Sequence, residues 1–140
     1  MKIRIMFVCH GNICRSPMAE FIMKKLLFDA GLSDKFLIES SATSTEEIWN
    51  GIGSPFYPPA KDELKRHGIP FSERRATLLK KSDYSDYDMF IGMDVLPVGK
   101  PKAILTSFCM EKKFCLLTFK KNRKHLHCLK RPLNLPNRNL

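Results

Sequence analysis

The sequence predicts an α/β protein built on a doubly wound, mainly parallel sheet. Short runs of apolar and β-branched residues at 2–8, 36–41 and 87–93 are suited to buried strands. Segments with helical patterning at 17–30 and 59–67 lie between them, and this alternation of strand and helix is typical of the class. A chain of 140 residues, 44% of them apolar, is long enough for one domain with a core.

The first strand and the first helix have the clearest signals. Residues 2–8 form a continuous apolar run, which predicts a central strand. Pro17 suits the first turn of a helix, where its missing N–H costs nothing, and Gly31 predicts the end of that helix. Lys24 and Lys25 are expected on its outer face.

The middle of the chain alternates less regularly. After the strand at 36–41 comes a long loop, residues 42–59, and loops of this length in a compact domain tend to be functional. The helix at 59–67 is expected to end at Gly68, and residues 73–76 form a short extended piece before the strand at 87–93.

Charge divides the chain near Asp94. Residues 1–94 hold 13 Lys+Arg and 13 Asp+Glu, whereas residues 95–140 hold 11 Lys+Arg and the single acid Glu111. We therefore expect an α/β domain at 1–94 and a basic tail at 95–140, divergent or poorly ordered, which is the one place for nucleic-acid contact. Such a break is typical of a changed reading frame or of a divergent tail. The candidate strands in the tail are 103–106 and 114–119, and 131–140 has no pattern.

Several classes of protein are disfavoured. No run of about 18 apolar residues predicts a membrane span, and the start lacks a signal peptide, so we expect a cytoplasmic protein. Five cysteines form no regular disulfide framework. The spacing of the possible zinc ligands is not a usual zinc pattern, so we expect no metal and no cofactor. Those residues are His125, His127 and Cys128, with Cys109 and Cys115.

The loop at 9–16 carries the strongest chemical signal, because Cys9 and Arg15 are separated by five residues between a strand and a helix. Such a loop points backbone N–H groups and the positive end of the helix at one spot, which suits a phosphate and favours the thiolate of Cys9. Arg15 can clamp two phosphate oxygens, Gly11 permits a tight turn, and the Ser16 hydroxyl can donate to the sulfur. The alternative is a chance spacing with Cys9 as a small buried apolar residue.

Residues 8–17, Val-Cys-His-Gly-Asn-Ile-Cys-Arg-Ser-Pro, resemble the signature of the low-molecular-weight protein tyrosine phosphatases. The resemblance implies a three-layer α/β/α fold with a central four-stranded parallel sheet, phosphatase I-like. It also implies a reversible Cys9–Cys14 disulfide under oxidants. The implied catalytic residues are Cys9, Arg15 and Ser16. The implied substrate-binding residues are His10, Gly11, Asn12, Ile13, Cys14, Trp49 and Tyr57. Among these, Asn12 is expected to hold the loop's shape, and Ile13 favours phosphotyrosine over phosphoarginine as the substrate.

The resemblance extends through 40–44, 57–60, 67–69 and 84–88 to Asp94, and the final third departs from it. Trp49 and Tyr57 fall in the loop that walls the substrate cleft in the family, where an aromatic wall suits a phenyl ring. The alternative for Trp49 is that it pins the long loop. The pair Arg74-Arg75 is expected to be solvated.

The family's general acid is an Asp on a late loop, followed by Pro and an aromatic residue. This sequence has no Asp after Asp94 and only Glu111 beyond it. The resemblance therefore implies phosphotyrosine hydrolysis through a cysteinyl-phosphate, impaired by the absence of this acid. The expected partners are phosphotyrosine proteins or small aryl phosphates, with inorganic phosphate as product. The alternatives are a non-catalytic phosphate-binding relative and an arsenate-reductase-like redox protein.

Overall fold

The structure, a computed structural model, describes residues 1–93, 114–120 and 123–127. In chain order the elements are β1 (Ile3–Cys9), α1 (Arg15–Asp29), a 3-10 turn (Ser33–Lys35), β2 (Phe36–Ala42), β3 (Ile48–Trp49), β4 (Ile52–Gly53), α2 (Pro58–Arg66), α3 (Asp83–Asp86), β5 (Met89–Gly92), β6 (Phe114–Lys120) and β7 (Arg123–His127). The predicted α/β class is confirmed, but the described sheet has five strands, one of them antiparallel, where four parallel strands were expected. No helix in the described ranges is long and apolar enough to span a membrane.

The main sheet has the order β2-β1-β5-β6-β7. β1 pairs in parallel with β2 and β5, β5 pairs in parallel with β6, and β7 joins β6 antiparallel. β6 coincides with the candidate strand at 114–119, whereas the candidate strand at 103–106 and Glu111 lie outside the described residues. Among the proposed zinc ligands, Cys109 and Cys128 also lie outside them.

The two faces of the sheet form separate apolar cores, because successive side chains of a strand point in opposite directions. Ile5 and Phe7 of β1 pack with Leu27 of α1 on one face. Met6 and Val8 pack on the other face, in the cluster that contains Phe90 of β5. Cys9 ends β1 at the carboxyl edge, the edge at which parallel sheets place their ligand sites.

The helix boundaries follow the sequence signals closely. α1 ends at Asp29, and Gly31 adopts φ +68°, the left-handed conformation expected just beyond a helix. α2 begins at Pro58, one residue earlier than predicted, with its two prolines in the first turn, where no intrahelical N–H is needed.

The long loop at 42–59 contains a small hairpin, which the sequence analysis missed. β3 and β4 pair antiparallel around Asn50 and Gly51, whose φ angles are +49° and +77°. Positive φ at both central residues is the geometry of a two-residue hairpin turn, for which Asn-Gly is a strong sequence signal. Trp49 is 72% exposed on this hairpin, so the alternative that it pins the loop is wrong.

The segment 73–79 runs beside the end of β2, close to Cys9. Arg75 bridges to Pro55 and Leu78 bridges to Ala42, which lies opposite Cys9 in the sheet register. A Cβ placed on Gly53 would lie 1.9 Å from the Ala76 carbonyl oxygen, so only glycine lets this segment approach β4 so closely. The extended piece predicted at 73–76 is thereby fixed beside the candidate site.

Candidate active site

The loop between Cys9 and Arg15 wraps around the first turn of α1. Cys9 is the last residue of β1 and Arg15 is the first residue of α1. Two neighbouring backbone segments hold the loop from outside. Thr43 N–H donates to the Cys9 carbonyl at 2.9 Å, and Tyr57 N–H donates to the Ile13 carbonyl at 2.9 Å. The loop is therefore fixed at both ends before any ligand binds.

The Cys9 sulfur is buried and hydrogen-bonded within this loop. The residue is 3% exposed, and its Sγ accepts the backbone N–H of Asn12 at 3.2 Å. The Ser16 Oγ lies 3.0 Å from the same sulfur and accepts the Asn12 side-chain amide at 2.8 Å. That leaves the Ser16 hydroxyl hydrogen for the sulfur. The loop therefore directs two hydrogen-bond donors at the Cys9 sulfur.

Asn12 is the centre of the polar network beneath the loop. It is 1% exposed and adopts φ +55°. Its amide group donates to Ser16 Oγ and, at 3.0 Å, to Ser40 Oγ. Its side-chain oxygen accepts Arg74 Nη2 at 2.8 Å and the Thr77 backbone N–H at 3.0 Å. Because both ends of the amide are satisfied, the network holds this residue in the left-handed conformation that the loop requires.

The expectation of a solvated Arg74-Arg75 pair is wrong for Arg74. Its side chain is only 16% exposed, and its guanidinium forms an ion pair with Glu20, whose side chain is 7% exposed. Ser40 Oγ accepts Arg74 Nη1 at 2.6 Å and donates to Glu20 at 2.6 Å. A buried carboxylate needs a partner of opposite charge. The position of Glu20 on the inner side of α1 was the signal in the sequence that such a partner is required. Arg75 does remain exposed.

Replacing Arg74 with Met should destabilise the fold by about 1 to 3 kcal/mol, because the buried Glu20 carboxylate loses its guanidinium partner and keeps only the half-exposed Lys24 ammonium, at 2.6 Å. Urea unfolding measures this loss. The double variant R74M/E20Q should recover much of it, and Arg66→Met, at an exposed pair with Glu63, should change stability by less than about 1 kcal/mol. Equal losses in R74M and R66M would contradict the assigned buried pair.

Cys14 is the second cysteine of the loop. Burial raises its pKa above the ordinary value of 9.0, the nearby Cys9 raises it further, and Arg15 opposes both effects. Cys9 and Cys14 are both unpaired cysteines in the structure. Of these two cysteines, Cys9 is the one whose sulfur contacts the Asn12 backbone N–H and the Ser16 hydroxyl.

Of the predicted substrate-binding residues, five belong to the loop itself, Tyr57 is hydrogen-bonded to it, and Trp49 lies on the hairpin of β3 and β4. Two further residues near the loop, both acids, were missed by sequence reasoning. His10 Nε2 lies 2.7 Å from Glu46 Oε2. Glu47 packs over the loop, because a Cβ on Gly11 would lie 3.0 Å from its Cγ. These two acids lie in the long loop after Ser44, and no motif in the sequence pointed to them. Tyr57 is 46% exposed, directly after the buried Phe56.

The site is a strand-to-helix loop whose buried cysteine sulfur contacts two donors, and this arrangement suits proteins that capture a phosphoryl group on a cysteine. Residues 4–137 match the model of the family described as low molecular weight phosphotyrosine protein phosphatase. The chain belongs to this family. The match extends past Asp94, further than the resemblance traced from motifs.

Relatives and solved structures agree with this assignment. The low molecular weight phosphotyrosine protein phosphatase of Homo sapiens is 41% identical over 90 residues, 64% of this chain and 54% of that protein. The crystal structure of YfkJ from Bacillus subtilis superposes with a TM-score of 0.74 at 30% identity, covering 90% of this chain and 77% of that one. The structure of SP-PTP from Streptococcus pyogenes gives 0.65 at 34% identity, with 83% and 71% covered. The chain spans about half the length of the first curated relatives it matches.

Proposed function

We propose that this chain is a protein tyrosine phosphatase that hydrolyses phosphotyrosine through a cysteinyl-phosphate on Cys9. The observation that carries the proposal is the buried Cys9 sulfur, held by the Asn12 N–H and the Ser16 hydroxyl at the start of α1. Phosphotyrosine proteins or small aryl phosphates are the proposed substrates. Inorganic phosphate is the proposed product.

The first step forms a bond between Cys9 Sγ and phosphorus while the bond from phosphorus to the tyrosine oxygen breaks. Backbone N–H groups of the loop and the Arg15 guanidinium balance the charge on the phosphoryl oxygens. In the second step water attacks phosphorus, and the sulfur leaves as a thiolate. The Ser16 hydroxyl supports this departure, because its hydrogen bond is stronger to a charged sulfur.

The expected weakness of this enzyme is protonation of the leaving oxygen. The sequence has no Asp after Asp94, so the acid that the resemblance implies on a late loop is absent from residues 95–140. A general acid contributes about 10²- to 10⁴-fold to such a step. The need for it is smallest when the leaving phenol is itself acidic.

We expect the enzyme to prefer activated esters strongly. The value of kcat/KM for 2,4-dinitrophenyl phosphate should exceed that for phenyl phosphate by about 10²-fold or more, because only the second leaving group needs a proton. Steady-state rates of phenol release measure this ratio. Near-equal values for the two esters would contradict an impaired proton donor.

The same observation favours a second candidate function, a module that binds phosphate or phosphotyrosine without turning it over. A bound phosphate needs the loop and Arg15 but no proton donor. Isothermal titration with inorganic phosphate, together with a search for phosphoenzyme by intact mass, separates the two. Tight phosphate binding with no phosphoenzyme from any activated ester would favour the binding module.

A further inference from the structure

We propose that the hairpin of β3 and β4 docks the peptide chain around a phosphotyrosine, and that it selects peptides with an apolar and a basic residue next to the phosphotyrosine. This inference rests on the proposed function and deepens it, because it names the class of phosphotyrosine substrate. The docking face consists of Trp49 and Ile52, with the Glu47 carboxylate beside them.

The hairpin is anchored on both sides to the phosphate loop, residues 9–16. Before the hairpin, the Ser44 N–H donates to the His10 carbonyl at 3.0 Å. After the hairpin, the Tyr57 N–H donates to the Ile13 carbonyl at 2.9 Å. The chain therefore leaves the phosphate loop shortly before the hairpin and returns to it shortly after, which keeps the hairpin next to any phosphoryl group that the loop holds.

One face of the hairpin packs against the rest of the protein. Gly53 is buried, and a Cβ on it would lie 1.9 Å from the Ala76 carbonyl oxygen. The Arg75 guanidinium donates to the Gly53 carbonyl at 2.9 Å. Ile48, which stands opposite Gly53 in the register, is partly buried. These contacts hold the hairpin in one position before any ligand binds.

The opposite face of the hairpin is apolar and open to solvent. Trp49 and Ile52 stand opposite each other in the register and are 72% and 62% exposed. The Ser54 N–H donates to the Glu47 carbonyl at 2.7 Å, which extends the ladder by one pair. Side chains two positions apart in a strand share a face, so Glu47 lies on the same side as Trp49. The Glu47 Cγ lies 3.0 Å from the Cβ position of Gly11, so this face continues into the phosphate loop.

The chemistry of this face determines the peptide that fits it. Two large apolar side chains held side by side in water are stabilised when an apolar side chain of a partner covers them. The Glu47 carboxylate beside them attracts a lysine or arginine and repels an acidic residue. Because the loop attracts the phosphate dianion, a phosphotyrosine peptide with apolar and basic neighbours satisfies all three parts of the surface.

The test measures the affinity of the full-length Cys9→Ser variant, which lacks the nucleophile, by isothermal titration with three probes. The probes are phenyl phosphate and two peptides of equal length, in which phosphotyrosine is flanked either by leucine and lysine or by serine and glutamate. The leucine and lysine peptide should bind about tenfold more tightly than the other peptide. Adding Ile52→Thr should weaken this peptide by about threefold to tenfold and should change the affinity for phenyl phosphate by less than about twofold.

Two further variants in the same background separate the contributions. Glu47→Gln should lower the preference for the basic peptide by about twofold to fivefold, and added salt should lower it in the unsubstituted hairpin, because salt screens an exposed charge. Trp49→Ala should weaken the leucine and lysine peptide by about threefold to tenfold. Phe28→Ala is its matched control, because Phe28 is also 72% exposed but lies about 20 Å along α1 from Arg15. It should change the affinity by less than about twofold.

Three outcomes would decide against the proposal or against what it rests on. Equal losses for phenyl phosphate and for the peptide in I52T or W49A would overturn it, since the hairpin would then contact only the aryl ring or hold the loop. A dimer in sedimentation velocity that I52T abolishes would also overturn it, because a second copy of the chain would then cover the face. If C9S binds no phosphate ester at all, the phosphate site and the proposed function fail, and this inference fails with them.

The docking face and the catalytic step can fail separately. If C9S discriminates between the peptides as expected while the wild-type protein forms no phosphoenzyme with 2,4-dinitrophenyl phosphate, the docking face is supported and the catalytic part of the proposed function fails. If the phosphoenzyme forms but C9S binds both peptides equally, the proposed function stands and the docking face is refuted.

Discussion

Cys9→Ser is expected to abolish the phosphoenzyme and to lower kcat/KM for 2,4-dinitrophenyl phosphate by about 10⁴-fold or more. The physical reason is that a serine hydroxyl is a much weaker acid and a much weaker nucleophile than a cysteine thiol. Rapid mixing with the activated ester measures the effect as a burst of dinitrophenol. Intact mass of the quenched protein reports the added phosphate.

Cys14→Ser is the matched control for this experiment. Cys14 lies in the same loop, but burial and the nearby Cys9 raise its pKa, which disfavours its thiolate form. C14S should therefore retain both the burst and the phosphoenzyme. A burst that survives in C9S, or that disappears in C14S alone, would show that the nucleophile has been assigned to the wrong residue.

Arg15→Ala is expected to lower kcat/KM by about 10³-fold or more, because a guanidinium that clamps the transferring phosphoryl group stabilises its transition state. Arg15→Lys should recover only part of the loss, since an ammonium supplies the charge but not the two-pronged geometry. Steady-state kinetics with the dinitrophenyl ester measure the rate. Titration with inorganic phosphate measures the accompanying loss of affinity.

Arg66→Ala provides the comparison for Arg15, because it removes an arginine that pairs with Glu63 at the end of α2. It should leave both the rate and the phosphate affinity within about twofold of wild type, as expected for an exposed ion pair. Phosphate binding that persists in R15A would argue against both the phosphatase and the binding module.

Local sequence was sufficient to predict the phosphate loop and the elements on either side of it. The apolar run at 2–8 and the helix signals Pro17 and Gly31 depend on neighbouring residues, and β1 and α1 form close to where they were expected. The parallel pairing of β1 with β2 and β5 followed from the order of these elements, whereas the antiparallel β7 did not. Features of this kind are visible in a sequence because their causes lie within a few residues.

The support beneath the loop was not predictable in the same way. Arg74 looked like a surface residue, because its partners Glu20, Ser40 and Asn12 are 54, 34 and 62 positions away along the chain. Only folding brings these segments together. The same holds for Glu46, which meets His10 across 36 positions, and for β7, which completes the sheet beside β6.

The sequence by itself therefore placed Cys9 and Arg15 at the two ends of a loop between a strand and a helix, and from that spacing it predicted the nucleophile and the phosphate site. Tertiary structure decided what holds that loop and what surrounds it. It turned Arg74 from an expected solvated residue into the buried partner of Glu20, and it placed Glu46 on His10. The physical reason is that the environment of a charged side chain is set by the groups it pairs with, and these groups are distant in sequence and become neighbours only in the fold.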